Sequence, residues 1–271
     1  MKILVAGLGL IGGSMAKALK RCGYVADGFD REKVVRAAIE SGAVAGKAGA
    51  VSDYDIVFVA LPPDAAMDFM GHNEFKDGAI VADICGVKGV IEQFVYARAR
   101  NFRYVGCHPM AGKEVSGFAN SCENLFDGAS MIVTENDKTD SAAVALLEKI
   151  FSEMGFSRIV RCSAGYHDQK IAYTSQLAHI VSNAYVKSPT ADGYAGFTGG
   201  SFQDMTRIAG VDENIWTRLY FLNRQNIAEE LRRLIDGLEK YENALTEGNE
   251  QELARLLREG RLRKEALDDQ K

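Results

Sequence analysis

Three small groups of residues have types and spacings that could do chemistry. The first is Gly7-Leu8-Gly9-Leu10-Ile11-Gly12, a G-x-G-x-x-G that follows an apolar stretch and opens a helical pattern. In such a motif the first glycine makes a tight turn, the second lets the backbone approach a pyrophosphate, and the third packs helix on strand. Amides at the helix N-terminus then face the phosphate charge. Asp30 ends the next strand, 18 residues past Gly12. A carboxylate there accepts hydrogen bonds from ribose hydroxyls and repels a 2′-phosphate, so NAD is the expected cofactor. Arg31 beside it leaves NADP open, because a guanidinium binds that phosphate.

The second group is His108 with Pro109. The proline biases His108 toward an extended backbone at a strand mouth, and ligands of an open parallel sheet sit outside the carboxyl ends of its strands. Leu61-Pro62-Pro63 and Asp83-Ile84-Cys85-Gly86-Val87-Lys88 end in the same place. A neutral imidazole with a pKa near ~6.5 accepts a proton from an alcohol as hydride leaves, help worth ~10²–10⁴ in rate. The alternative is a hydrogen-bonded structural histidine beside a turn. A Cys107–His108 dyad is disfavoured, since successive side chains on a strand point to opposite faces. His72, His108, His167 and His179 lack zinc-ligand spacing.

The third group lies in the second half. On a helix over residues 165–186, Ala172, Ser175, Gln176, His179 and Asn183 share one arc at ~100° per residue. Ile171, Leu177, Ile180, Val181, Ala184 and Tyr185 cover the other side. A stripe of Ser, Gln, His and Asn without Lys or Glu fits a half-buried cleft wall as well as a solvent face. Arg207, three residues after Asp204, is either the bidentate grip for an anionic substrate or an ordinary surface pair worth ~0–1 kcal/mol.

The elements that must position these groups follow from periodicity. Short apolar runs at 2–6, 25–29, 56–61, 79–84 and 104–107 alternate with helical patterns, which predicts a parallel sheet covered by helices. A helix over 140–154 repeats Val144, Leu147, Phe151 and Met154. After about residue 163 strand patterns stop, and Ser163 is the expected N-cap of the 165–186 helix. A loop rich in glycine (Gly193, Gly196, Gly199, Gly200) follows Pro189, and a long helical pattern then starts at Asn214. Within it Ile227, Leu231, Leu234, Leu238, Tyr241 and Leu245 form a heptad seam. That seam needs a partner, either a C-terminal helix over about 253–267 or the same helix of a second subunit.

Composition narrows the function classes. The 271 residues carry 32 Lys and Arg against 37 Asp and Glu, a net charge of −5. With no basic block, the chain is a poor binder of nucleic acid or anionic lipid. Five cysteines, an odd number with no C-x-x-C, fit reduced thiols in a cytoplasmic protein. No apolar run reaches the ~18 residues of a membrane span. Residues 3–16 after Lys2 imitate a signal peptide, but their four glycines in fixed register fit a nucleotide turn instead.

Together the motifs resemble the prephenate/arogenate dehydrogenase family of tyrosine biosynthesis. The resemblance runs through Gly7-Leu8-Gly9-Leu10-Ile11-Gly12-Gly13-Ser14 and His108-Pro109-Met110-Ala111-Gly112-Lys113-Glu114-Val115-Ser116-Gly117. It continues in His167-Asp168, Ser175-Gln176-Leu177-Ala178-His179 and Asp204-Met205-Thr206-Arg207-Ile208-Ala209, with Trp216 beyond. It implies an α/β Rossmann-type dinucleotide-binding domain over residues 1–162, followed by an all-α substrate and dimerisation domain over 163–271 of a homodimer. The implied reaction is oxidative decarboxylation of prephenate or arogenate with NAD. His108 would take the ring hydroxyl proton, Arg207 would bind a substrate carboxylate, Glu114 would stand near the mouth and His179 would line the pocket. Lys113, Ser175 and Gln176 complete the expected substrate set. The cofactor set is Gly7, Gly9, Leu10, Ile11, Gly12, Asp30, Arg31, Leu61 and Pro62.

Two positions depart from the family pattern. Gly86 stands where many relatives have a serine beside the histidine, and Gln176 where many have a histidine. Gln keeps a hydrogen bond but carries no charge. Two other readings compete. A β-hydroxyacid dehydrogenase would use Lys170 with an Asn one turn on, where this chain has Thr174. A non-catalytic NAD(H) sensor would leave His108 and Arg207 without a task.

Overall fold

The computed structural model describes residues 1–113 and 115–269. Strands β1 (Ile3–Ala6), β2 (Ala26–Phe29), β3 (Ile56–Val59), β4 (Ile80–Asp83) and β5 (Arg103–Pro109) run parallel. Helices α1 (Leu10–Arg21), α2 (Glu32–Glu40), α3 (Pro63–His72) and α4 (Gly89–Tyr96) make the crossovers. The sheet order is β2-β1-β3-β4-β5-β6-β7. The chain therefore reverses direction across the sheet between β1 and β3, the switch point where such sheets bind ligands.

Two strands escaped the sequence reading. β6 (Ser130–Thr134) pairs antiparallel to β5, setting Ile132 opposite His108, and β7 (Arg158–Cys162) runs parallel to β6. β7 is an edge strand whose Arg158 and Arg161 are exposed, a charged edge that resists pairing with other chains. Helix α5 (Ser141–Glu153) joins them, with Asp140 accepting from the Ala143 amide as its N-cap. Val144, Leu147, Phe151 and Met154 are all buried, as the period required. β5 also runs further than the apolar pattern, and His108 and Pro109 lie inside it.

Alternation along β1 sends Ile3 and Val5 into one core layer and Leu4 and Ala6 into the other. Both faces are covered, which is why β1 and β3 are apolar throughout. Beneath the carboxyl ends of β4 and β5 lies a polar inclusion. Lys88 and Asp83, both 0% exposed, form an ion pair. The Tyr104 hydroxyl donates to Asp83 at 2.6 Å and Lys88 Nζ to the Cys107 carbonyl at 2.7 Å. A buried charge persists only when paired in this way. The lysine thereby fixes the carbonyl immediately before His108.

Beyond β7 the described chain is helical. Ser163 caps α6 (Ala164–Ile171), and a single wide π turn (Ala172–Leu177) leads into α7 (Ala178–Tyr185). Helices α8 (Gly200–Thr206) and α9 (Glu213–Leu222) follow. The long helix expected from Asn214 is broken at Asn223, whose backbone leaves helical geometry (φ −118°, ψ 20°). Its side chain donates to the Asp168 carbonyl and to Gln176 Oε1, at 2.8 and 2.6 Å. Residues 1–223 form one compact unit and residues from Arg224 a second. The second unit is a hairpin of α10 (Arg224–Thr246) and α11 (Glu250–Asp268). Its seam is covered unevenly: Ile227 is buried, whereas Leu238 and Leu245 remain 57% and 63% exposed. Among the described residues, no helix is long and apolar enough to cross a membrane.

Candidate active site

A cavity of about 620 Å³ opens at the carboxyl ends of β1, β3 and β4. Gly9, Leu10 and Ile11 form one wall, Leu61 to Asp64 a second, Ile84 to Gly86 the floor, and α9 the opposite side. The glycine turn is dictated sterically. Gly7 has φ +90°, and a Cβ there would stand 2.4 Å from the Ala60 carbonyl oxygen. A Cβ on Gly12 would meet the Gly7 carbonyl oxygen at 1.8 Å. At Gly9 a Cβ would touch nothing within 4 Å, so the backbone is approachable from the cavity. Gly9 is also the N-cap of α1, and no side chain among the described residues caps that helix start. The Leu10 and Ile11 amides belong to a helix N-terminus suited to an anion. This geometry fits a dinucleotide pyrophosphate.

Asp30 has a task the sequence did not reveal. Its Oδ2 accepts from the Leu8 amide at 2.7 Å, and its Oδ1 from the Arg31 amide at 2.6 Å. The carboxylate thus holds the glycine turn to the end of β2. Arg31 is largely exposed and stands 3.8 Å from the carboxylate.

His108 is half-buried, and its Nδ1 lies 2.9 Å from Nε2 of His167. Its Nε2 is on the Gly86 side, where a Cβ on that glycine would lie 3.6 Å away. A serine side chain at this position would fill that space. Burial holds the His108 imidazole well below its ordinary pKa, with smaller contributions from His167 and Lys88. His167 is pushed down by its own burial, against the pull of Asp168. His167 Nδ1 in turn contacts Asp168 Oδ1 at 2.7 Å. Asp168 also accepts from the Lys88 and Gly89 amides, each at 2.8 Å, at the N-terminus of α4. This chain of contacts links α6 to β5 and α4.

The polar stripe on the 165–186 helix is packed and not a solvent face, but none of its residues lines the cavity; it makes two sets of contacts. Gln176, 3% exposed, is buried against Asn223. Further along, His179 Nδ1 bonds the Ile208 carbonyl at 2.9 Å and Ser182 donates to the Met205 carbonyl at 2.6 Å. Asn183 donates to the Ala209 carbonyl at 3.0 Å. These bonds satisfy carbonyls at the C-terminal end of α8 and fix the segment that carries Arg207, which is exposed. The His179 ring also packs on Trp216 of α9 at 4.1 Å. Ser175 is half-buried on the π turn. Lys113 is not brought to the cavity: it is exposed and reaches Cys122 Sγ at 3.4 Å. Glu114 lies outside the described residues.

Sequence reasoning gave no role to His167-Asp168, to the Lys88–Asp83–Tyr104 cluster, or to Arg218. Arg218 forms a bidentate pair with Asp64, both bonds 2.6 Å, across the cavity from α9 to the first turn of α3. The guanidinium lowers the Asp64 pKa. The sequence clues were the adjacency of His167 and Asp168 in a first helical turn and their place in the motifs that resemble the family. Lys170, central to the β-hydroxyacid alternative, is exposed and lies over the Tyr166 ring at 5.1 Å.

Comparison with known proteins agrees with this geometry. Residues 15–160 match the family description "Prephenate dehydrogenase, nucleotide-binding domain" and residues 163–259 "Prephenate dehydrogenase, dimerization domain". A prephenate dehydrogenase of Lactococcus lactis is 26% identical, covering 98% of this chain and 77% of the relative. The Aquifex aeolicus prephenate dehydrogenase, solved with hydroxyphenyl propionate and NAD+, superposes with a TM-score of 0.85 at 26% identity, covering 98% of each chain. A Synechocystis arogenate dehydrogenase gives 0.82 at 26% identity, covering 98% of this chain and 100% of that one.

Proposed function

Because the chain belongs to the prephenate dehydrogenase family, we propose that it oxidatively decarboxylates prephenate or arogenate in tyrosine biosynthesis, with His108 as the base. The observation that carries the reading is the placement of His108, whose Nε2 lies against Gly86 at the floor of a cavity walled by the glycine turn. NAD+, when bound, supplies the hydride acceptor. Gly7, Gly9, Leu10, Ile11 and Gly12 would hold its pyrophosphate, Asp30 its ribose, and Leu61 and Pro62 would flank it. Arg31 is the residue that would meet a 2′-phosphate.

In this reading Nε2 of His108 takes the ring hydroxyl proton as hydride leaves the same carbon. The carboxylate on the opposite ring carbon then departs as CO₂, and its bonding electrons restore the aromatic ring. The phenolate oxygen can recover the proton from His108, so the base is regenerated on the atom it served. Arg207 would bind a substrate carboxylate, and His179, which positions the Arg207 segment, would meet the substrate from that side with Ser175. Gln176 acts through its hold on Asn223. Glu114 keeps its proposed place near the mouth, and Lys113 reaches substrate only by leaving Cys122.

We place the functional boundary between residues 162 and 163, where β7 ends and the helices begin. The exposed Leu238 and Leu245 of the α10 seam are the surface a second copy would cover in a homodimer. A cytoplasmic location fits the biosynthetic role and five free cysteines. The test is the absorbance of reduced nicotinamide with prephenate and arogenate, each with NAD+ and NADP+. Reduction in one combination is expected. None in any combination, with nucleotide binding shown separately, overturns the reading.

A further inference from the structure

We infer that His167, held by Asp168, sets the tautomer of His108, so that the nitrogen facing the cavity is left unprotonated and ready to accept a proton. The inference deepens the base role proposed for His108 and concerns a residue outside the cavity lining.

The argument is a count of donors and acceptors. Asp168 takes the Lys88 amide on Oδ1 and the Gly89 amide on Oδ2. An amide N–H only donates, so the carboxylate oxygens are acceptors. His167 Nδ1, 2.7 Å from Oδ1, must therefore carry a hydrogen, because two lone pairs would repel at that distance. His167 is 1% exposed, and burial favours its neutral form. Its Nε2 is then a bare acceptor. His108 Nδ1 lies 2.9 Å from that atom and has to be the donor. A neutral His108 with its hydrogen on Nδ1 presents a lone pair on Nε2, on the Gly86 side.

Without this arrangement a neutral imidazole is free to place its hydrogen on either nitrogen, and one of the two choices points a donor at the substrate hydroxyl. The same chain helps after proton transfer. Imidazolium at His108 keeps its Nδ1–H bonded to His167, which is polarised by the Asp168 charge. The carboxylate is itself anchored at the start of α4 by backbone amides, so the relay is aligned by main chain and not by mobile side chains. The logic is that of a third group orienting a catalytic imidazole.

The test begins with the unaltered protein. Nitrogen-15 spectra of its histidines should show His108 protonated on Nδ1 and bare on Nε2 above the imidazole pKa. A hydrogen on Nε2 overturns the inference whether or not the protein turns over any substrate. His167→Ala should redistribute the His108 hydrogen between both nitrogens and lower kcat about 10–100-fold, the scale seen when the hydrogen-bond partner that orients a working histidine is lost, with KM values retained. His167→Gln, whose amide oxygen can accept from Nδ1, should recover much of the loss. An unchanged kcat and tautomer in His167→Ala would show the contact to be packing alone. Loss of the base role itself has a separate mark: His108→Asn would then turn over normally.

Discussion

The two sides of the cavity are built on different principles. The glycine side is made of backbone: a positive φ at Gly7, a contact at Gly12 that excludes any side chain, and amides at a helix start. The histidine side is made of side chains from distant segments, with Asp168 bonded to amides 80 and 79 residues away in the chain. A backbone site tolerates almost any residue between its glycines but no change at Gly7 or Gly12. A side-chain relay tolerates conservative exchange wherever donor and acceptor survive. The glycine side should therefore fail structurally and the histidine side chemically.

The largest effect expected is from His108→Asn. Turnover should fall ~10²–10⁴-fold, the usual worth of a positioned base, while nucleotide binding by calorimetry stays intact. Retained turnover would place the chemistry elsewhere. Gly12→Ala should do the reverse. A Cβ 1.8 Å from the Gly7 carbonyl oxygen forces the turn apart, so nucleotide binding and melting temperature should drop together, at a cost of ~1–3 kcal/mol or more. Normal binding by that variant would undo the backbone half of the contrast.

Arg207→Ala should raise KM by an amount corresponding to ~1.5–3 kcal/mol, the scale of a charged hydrogen bond, with kcat less affected. An unchanged KM would return Arg207 to the surface. The pH dependence sharpens the comparison further. Burial, then His167 and Lys88, depress the His108 pKa, so kcat/KM should stay level through ~6.5 and fall only at lower pH. Stability has the same sign. Below ~6.5 an unfolded histidine binds a proton that the buried one does not, so stability declines as pH drops through that value toward the folded pKa. An acid limb above ~6.5 would contradict the burial. Gly86→Ser should be the mildest change. Its Cβ meets His108 at 3.6 Å, an ordinary contact, and melting should move by no more than ~0.5 kcal/mol.

The same contrast explains what the sequence made legible. Local rules act over a few residues, so the glycine turn, the five parallel strands, the α5 core stripe and the Ser163 cap could all be read. β6 and β7 could not, because β7 mixes exposed arginines with Ile159 and Val160 and owes its place to pairing with β6. Asp30 was found, yet its bond to the Leu8 amide was not, since nothing local distinguishes an acid facing a ribose from one facing a turn. Asp168, Lys88 and Asn223 work through partners from 5 to 80 residues away, beyond any periodicity. The stripe at 172–183 was recognised as a pattern but projected on an unbroken α-helix, which the chain does not follow.

That departure has a consequence for how the enzyme tolerates change. The wide turn at Ala172–Leu177 acts as a phase adjuster between two half-helices. A one-residue surplus rotates everything after it by about 100° relative to an unbroken α-helix. The front half aims His167 and Asp168 at the sheet, and the back half aims His179, Ser182 and Asn183 at the Arg207 segment. Neither aim constrains the other. Deleting a single residue from that turn would yield a more regular helix and misdirect one of its two cargoes, so regularity here is traded for independent steering of the two ends of one rod.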